Sequence, residues 1–390
     1  MTMNRRDLLK LFGGSLVVMQ SPQLLISSAN ATSYSKTEQP LFIWVMLRGA
    51  LDSLHTVIPE FDENYIKHRP KLAKQLGTGL PLEKGFSLNP ALAELHSWYQ
   101  NSELLPIVAV GSGYHGRSHF DGQDFLESGQ SKVNSNAIDT HSGWLGRTLQ
   151  MSAYHHKAIA IDQTVPISLR GSDDVNAWYP SNAKDVGDDI YSALMNMYQD
   201  SPKLSMSLQK GLELQKNAMA QQSGKQRTKF ANLTKACANL LLADNKLSCA
   251  VLELGGWDTH NNQHGRLARQ LKELDDGLAS LKAQLGERWQ HTVVAVATEF
   301  GRTVKENGTG GSDHGSAACM LLAGGAIKGG RILGDWPGLA KSELFEGRDL
   351  MPTSNSLQWL ATVLAQHWQI KPAHMPALFG GLQTYSEQLV

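Results

Sequence analysis

Six short, predominantly apolar runs set the terms on which this chain can fold: Leu41–Leu47, Leu105–Val110, Ala158–Ile161, Cys249–Leu254, Thr292–Ala297 and Cys319–Ala323. Each has the length of a strand and is continuous rather than alternating, the pattern of a strand covered on both faces. Helical patterns fill most of the gaps. Leu267, Leu271, Leu274, Leu278, Leu281 and Leu285 recur at spacings of four and three, an apolar stripe along one long helix. The stripe covers fewer than three heptads and leads into a strand pattern. It is therefore read as packing on a sheet rather than as a coiled coil. Strands alternating with helices predict an α/β fold, with a doubly wound, mainly parallel sheet flanked by helices. Residues 164–230 break the rhythm, being rich in Ser, Asp, Asn and Gln. They are expected to form a helical cap inserted in a single domain, 32–390, rather than a second domain with its own core.

The first 31 residues have a separate purpose. Arg5-Arg6 stands directly before an apolar segment, Leu8 to Met19, and Ala29-Asn30-Ala31 offers the small-x-small pattern that signal peptidase accepts. Twin arginines before a modestly hydrophobic core read as a twin-arginine export signal, with cleavage after Ala31 and a periplasmic destination. The implied first partner is the twin-arginine export machinery, which carries proteins already folded. Removing Arg5, Arg6, Lys10 and Asp7 from 36 basic and 36 acidic residues leaves the mature chain near net −2. No basic field remains for nucleic acid. Past the signal, no apolar run approaches the roughly 18–20 residues that span a bilayer. Cys237, Cys249 and Cys319 lack zinc-type spacing and are read as buried free thiols, with a Cys237–Cys249 disulfide as the alternative.

In an open parallel sheet, ligands sit at the carboxyl ends of the strands. Chemistry is therefore sought in the residues just beyond each run. Arg48 and Asp52 come after the first run, and Arg117-Ser118-His119 after the second. Asp258 and His260 come after the fourth, Glu299 after the fifth, and Asp313-His314 lead into the sixth. Carboxylates and imidazoles at five strand ends should converge on one cleft, a nitrogen- and oxygen-rich setting suited to a divalent cation. Zn or Mn is favoured over Ca or Mg by the imidazoles. A strand-end carboxylate taken alone more often caps a helix or meets an arginine, and Arg48 and Arg302 are the available partners. Ser118 opens an amphipathic stretch, as an N-cap would. Beside a cation its hydroxyl could instead be a nucleophile on a phosphoryl or sulfuryl group, with Arg117, His119 and Arg48 as further catalytic candidates. Gly308–Gly315 lacks the Gly-Lys-Ser/Thr ending of a phosphate loop.

Three blocks make a more specific pattern: Gly255-Gly256-Trp257-Asp258-Thr259-His260, Thr298-Glu299-Phe300-Gly301-Arg302-Thr303, and Asp313-His314-Gly315. With the export signal and Arg348-Asp349-Leu350-Met351-Pro352-Thr353, they resemble the twin-arginine-exported domain-of-unknown-function 1501 family. That family is grouped with the sulfatases and alkaline phosphatases, and the resemblance covers nearly the whole chain. It implies an alkaline-phosphatase-like sheet, a metal-binding Asp52, a nucleophile at Ser118, and further ligands among Asp258, His260, Glu299, Asp313 and His314. The chain departs from the pattern in places. Glu299-Phe300 stands where the superfamily often has Asp-His, and Ser118 lacks the Ser/Cys-x-Pro-x-Arg setting that formylglycine formation requires.

The resulting expectation is a periplasmic metal-dependent hydrolase of phosphate or sulfate esters, its cation held by Asp52, Asp258, His260 and His314. Its substrate would be a small anionic ester or a glycan. The alternative is an inactive scaffold of the same fold that binds a metal, a glycan or an envelope protein partner.

Overall fold

The computed structural model describes residues 38–130, 138–151, 156–180, 188–219 and 229–390. The stretch read as an export signal, with the cleavage expected after Ala31, lies outside them. Eight strands form the central sheet: β1 (Leu41–Arg48), β5 (Leu104–Gly111), β6 (Lys157–Ala160), β7 (Val175–Ala177), β8 (Leu247–Gly255), β9 (Thr292–Thr298), β10 (Ala318–Ala323) and β11 (Ser354–Asn355), in the order β11-β5-β10-β9-β1-β8-β6-β7. A small antiparallel sheet is made by β2 (Val57–Pro59), β3 (Leu80–Pro81) and β4 (Phe86–Leu88). All six apolar runs are strands of the central sheet.

Alternation along β1 explains the layering. Leu41, Ile43, Val45 and Leu47 face one core, with the helices Phe230–Ala243 and Gln263–Leu285. Phe42, Trp44 and Met46 face the other, with Trp144, Leu357 and Trp368. Side chains two apart share a face, so a continuous apolar run supplies both layers at once. The six leucines of the 267–285 stripe are all buried in the first core. Gly277 lets the two long helices of that core meet, since a Cβ there would lie 2.1 Å from the Phe230 ring. All three cysteines are buried free thiols, and burial pushes the Cys319 thiol up to about 12. Among the described residues, no helix is long and apolar enough to cross a membrane.

Strand direction decides where the loops meet. β10 runs antiparallel to both its neighbours, β9 and β5, while the other pairings are parallel. The carboxyl ends of β1, β5, β8 and β9 therefore share one edge with the amino end of β10. The stretch 164–230, expected to be a helical cap, contains a strand as well as helices. β7 lies inside 164–230 and pairs with β6 at the sheet edge, leaving the helices Asp188–Met197 and Pro202–Met219 as the helical addition. Val175-Asn176-Ala177 is too short and too mixed to stand out as a strand in sequence.

Three imidazoles are sealed in this body. Burial depresses His55 and His156 to about 3 and His367 to about 4. Each folded value lies below the ordinary value of about 6.5. The stability these groups carry is therefore whole above about pH 6.5 and is lost as pH falls toward 4. The expected slope is about 1.4 kcal/mol per pH unit for each group. The urea midpoint should drop clearly between pH 7 and pH 5, and His156→Phe should flatten that dependence. An equal midpoint at both values would contradict it.

Candidate metal centre

The shared edge collects the chemistry-bearing loops. His119 is the first residue of the helix His119–Ser128, which comes after β5 and is capped by Ser118. Asp258 and His260 come after β8, Glu299 after β9, and Asp313-His314 precede β10. Gly49 makes the close packing possible. It has φ +121°, and a Cβ there would lie 2.7 Å from the Asp258 amide nitrogen.

Three imidazoles are each held by one nitrogen. His119 Nδ1 lies 2.8 Å from Glu299 Oε1, His260 Nδ1 lies 2.9 Å from Asp313 Oδ1, and His314 Nδ1 lies 2.9 Å from the Arg117 carbonyl. These partners only accept, so each Nδ1 carries the proton and donates it. In the neutral ring, Nε2 is then a bare lone pair. All three lone pairs turn toward Asp258. His260 Nε2 is 3.0 Å from Asp258 Oδ1 and 3.0 Å from His314 Nε2, while His314 Nε2 is 3.3 Å from the same Oδ1. His119 Nε2 faces Asp258 Oδ2 at 3.6 Å and is a buried atom with no hydrogen-bond partner.

Lone pairs gathered this closely repel unless a proton or a cation lies among them. Zn–N bonds of about 2.0–2.1 Å give tetrahedral ligands about 3.3 Å apart, close to the spacing here. Ligand atoms of His119, Asp258 and His314 all lie within 4.8 Å of one another. His260 joins from the more open side, where its side chain is 43% exposed against 22% for His119. Imidazole donors with an outer carboxylate or carbonyl are the usual construction of a transition-metal site.

Charge favours a dication. Burial raises the Asp258 carboxyl, but Arg302, His260 and His119 outweigh it and hold the group below its ordinary value. Burial likewise opposes ionisation of Glu299 and Asp313, and hydrogen bonds from His119 and from His260 respectively bring each below its ordinary value. His314 is lowered, chiefly by burial, which keeps its ring neutral. His119 is raised, chiefly by its bond to Glu299, so a cation must displace a proton there. With all three rings neutral, three carboxylates against the one guanidinium of Arg302, 2.6 Å from Asp258, leave two negative charges.

Other expected site residues sit elsewhere. The metal assignment of Asp52 meets a different geometry: fully buried, it takes Arg69 Nη1 at 2.9 and 2.7 Å, the Leu54 amide at 3.1 Å, and Gln263 Nε2. It reaches the centre only through others, since Gln263 accepts from Ser312 and Arg302 donates to both Ser312 and Asp258. Glu299 is fully buried and acts on His119 rather than facing the gathered lone pairs. Asp313 likewise acts on His260.

Ser118 accepts the Asp121 amide at 3.5 Å, a long cap, and lies between Arg117, whose carbonyl holds His314, and His119. Neither arginine expected to be catalytic is left over for a substrate anion. Arg117 meets Glu346 at 2.6 Å and Asp349 at 2.8 Å, and Arg48 meets Glu127 at 2.6 Å and both oxygens of Glu253. Arg69, Gln123, Gln263 and Ser312 went unnoticed in sequence. Only Gln123 carried a signal, four residues after His119 on the same helical face.

A family described as "Protein of unknown function (DUF1501)" matches residues 102–377. No curated protein matches the chain. Among solved structures, it is similar to a 2-O GAG sulfatase, at 12% identity over 90% of this chain and 76% of that one, with a TM-score of 0.41. It is also similar to the C-terminal periplasmic domain of EcEptC from Escherichia coli in complex with Zn, at 11% identity over 75% and 76%, TM-score 0.38. Alkaline phosphatase from the Antarctic bacterium TAB5 is similar at 12% identity over 74% and 91%, TM-score 0.37.

Proposed function

The chain belongs to the DUF1501 family, and from that premise we propose that it is a periplasmic, metal-dependent hydrolase of phosphate or sulfate esters. The observation that carries the reading is the set of three Nε2 lone pairs turned on the Asp258 carboxylate, each imidazole fixed from behind by an acceptor. His119, Asp258 and His314 would hold the cation, with His260 completing the set. Nitrogen-rich donors favour Zn or Mn over Ca or Mg. A cation bound there supplies Lewis acidity toward an ester oxygen.

The protein's own groups do the rest. Ser118 Oγ spends a lone pair on the Asp121 amide and keeps its proton, so it can attack phosphorus or sulfur while passing that proton on. The bond to the ester oxygen breaks as the new bond to Ser118 Oγ forms, and the serine's proton goes to the departing alkoxide, which leaves as the alcohol. Water then hydrolyses the ester on the serine to free the anion. Asp313 and Glu299 keep their imidazoles oriented throughout.

A screen of metal-loaded protein against aryl phosphate and aryl sulfate esters tests this. Turnover that Ser118→Ala reduces by orders of magnitude is the expected result. Equal turnover in that variant would leave Ser118 as a cap alone. The pairing of Arg48 and Arg117 with carboxylates favours a second reading, an envelope scaffold that binds metal, glycan or protein without turnover. Full metal loading with no hydrolysis of either ester class would favour that scaffold.

A further inference from the structure

The helix His119–Ser128 carries a polar ladder on one face. His119, Gln123 and Glu127 are spaced by four residues, so they stack along the side turned toward the sheet edge. Arg48, the last residue of β1, bonds two rungs of it: its Nη1 donates to Gln123 Oε1 at 2.7 Å and its Nη2 to Glu127 Oε1 at 2.6 Å. Gln123 Nε2 in turn donates to Glu299 Oε1 at 3.1 Å, the same oxygen that accepts His119 Nδ1–H at 2.8 Å and the Gly49 amide at 2.9 Å. The other oxygen, Glu299 Oε2, accepts from Thr298 Oγ1 at 2.8 Å.

A glutamine amide can face either way, and here its neighbours decide. A guanidinium only donates, so it takes the amide oxygen. The amide NH2 is thereby turned to Glu299, which only accepts. Flipped, the amide would set a donor against a donor and an oxygen against a carboxylate. Arg48 is held in turn by Glu253 and Glu127, so the orientation is anchored at its far end.

We propose that Gln123, oriented by Arg48, is a positioning residue for the metal centre. Its N–H bonds Glu299 Oε1 and fixes that carboxylate in place. Glu299 then holds the proton of His119 on Nδ1 and aims Nε2 at the cation. The proposal rests on the metal-centre reading and adds to it a residue that touches no ligand atom. Partners that bond a ligand directly, as Glu299 does, are typically worth about 10–100-fold in metal affinity, which bounds what Gln123 contributes through Glu299.

The test is titration of purified metal-free protein with Zn2+ and Mn2+ by calorimetry and by competition with a chelator. Wild type, Gln123→Leu and Gln123→Glu are compared. Glutamate has the shape of glutamine and can accept from Arg48, but it offers Glu299 an oxygen instead of an N–H. Both variants are expected to bind each metal more weakly, by up to about 100-fold, with circular dichroism unchanged. Their His119 ring should lose its single Nδ1–H tautomer in long-range 1H–15N spectra. If Gln123→Glu binds like wild type, Gln123 merely packs, and the proposal fails. If wild type itself binds neither metal, the centre fails, a result distinct from a loss confined to the variants.

Discussion

Asp258→Ala and His314→Ala are each expected to strip the protein of its stoichiometric divalent metal. Asp258 is the one charged group that the three imidazole Nε2 atoms share, and removing it takes away half of the net negative charge that suits the site to a dication. His314 sits between the other two rings, 3.0 Å from His260 Nε2 and with its ring centroid 4.3 Å from that of His119. Partners outside the ligand set usually cost 10–100-fold in affinity, so loss of a ligand should cost more than about 100-fold. Metal content by mass spectrometry on protein purified from its native host is the first measurement, with both variants alongside. Full stoichiometry retained in both would place the ion elsewhere. Affinity should also fall on acidification, because the ligating imidazoles must be neutral to bind.

Arg69→Met is expected to cost the most stability of any single change, about 3–5 kcal/mol. The guanidinium and the Asp52 carboxylate are both fully buried. Arg69 also bonds the carbonyls of Val304, at 2.8 Å, and Thr303, at 2.7 Å. Its removal strands a carboxylate in the core. Arg69→Lys should recover little, since a compact ammonium cannot span Asp52 and two carbonyls together. Burial raises the Asp52 carboxyl, but Arg69, His55 and Gln263 outweigh it and hold the folded value below the ordinary one. The stability this pair carries is therefore whole above the unfolded carboxyl value, about 3.9, and is lost as pH falls through the folded value. Thr303 and Val304 begin the loop that delivers Asp313 and His314, so metal affinity should weaken in the same variant. Chemical denaturation of wild type, Arg69→Met and Asp52→Leu/Arg69→Met measures the effect. The double variant should lie well above the single, because it leaves no charge unpaired. A single variant as stable as wild type would contradict the argument.

Both sites sit on a framework that is legible in the sequence. The six apolar runs were legible as central strands because continuous hydrophobicity at strand length has few other uses. The leucine stripe was legible for the same reason, since six leucines at spacings of three and four demand one buried face. The meeting of the loops after those strands was legible too, because strand direction in a parallel sheet sends them to one edge.

Partner choice was not legible. Asp52 has the position of a strand-end ligand, yet Arg69, which nothing in the sequence marks, satisfies its charge. His119 reads as a neighbour of Ser118, and only the orientation of its helix turns Nε2 toward Asp258. Asp313 and His314 precede their strand, and they reach the same edge because β10 runs against its neighbours. Periodicity and hydrophobic runs are local properties, carried by residues a few positions apart, and the sequence by itself determined the six apolar central strands, the leucine-striped helix and the edge where their loops meet. Which carboxylate meets a guanidinium and which meets an imidazole depends on distances of about 3 Å between groups far apart in the chain, and the tertiary structure alone decided that.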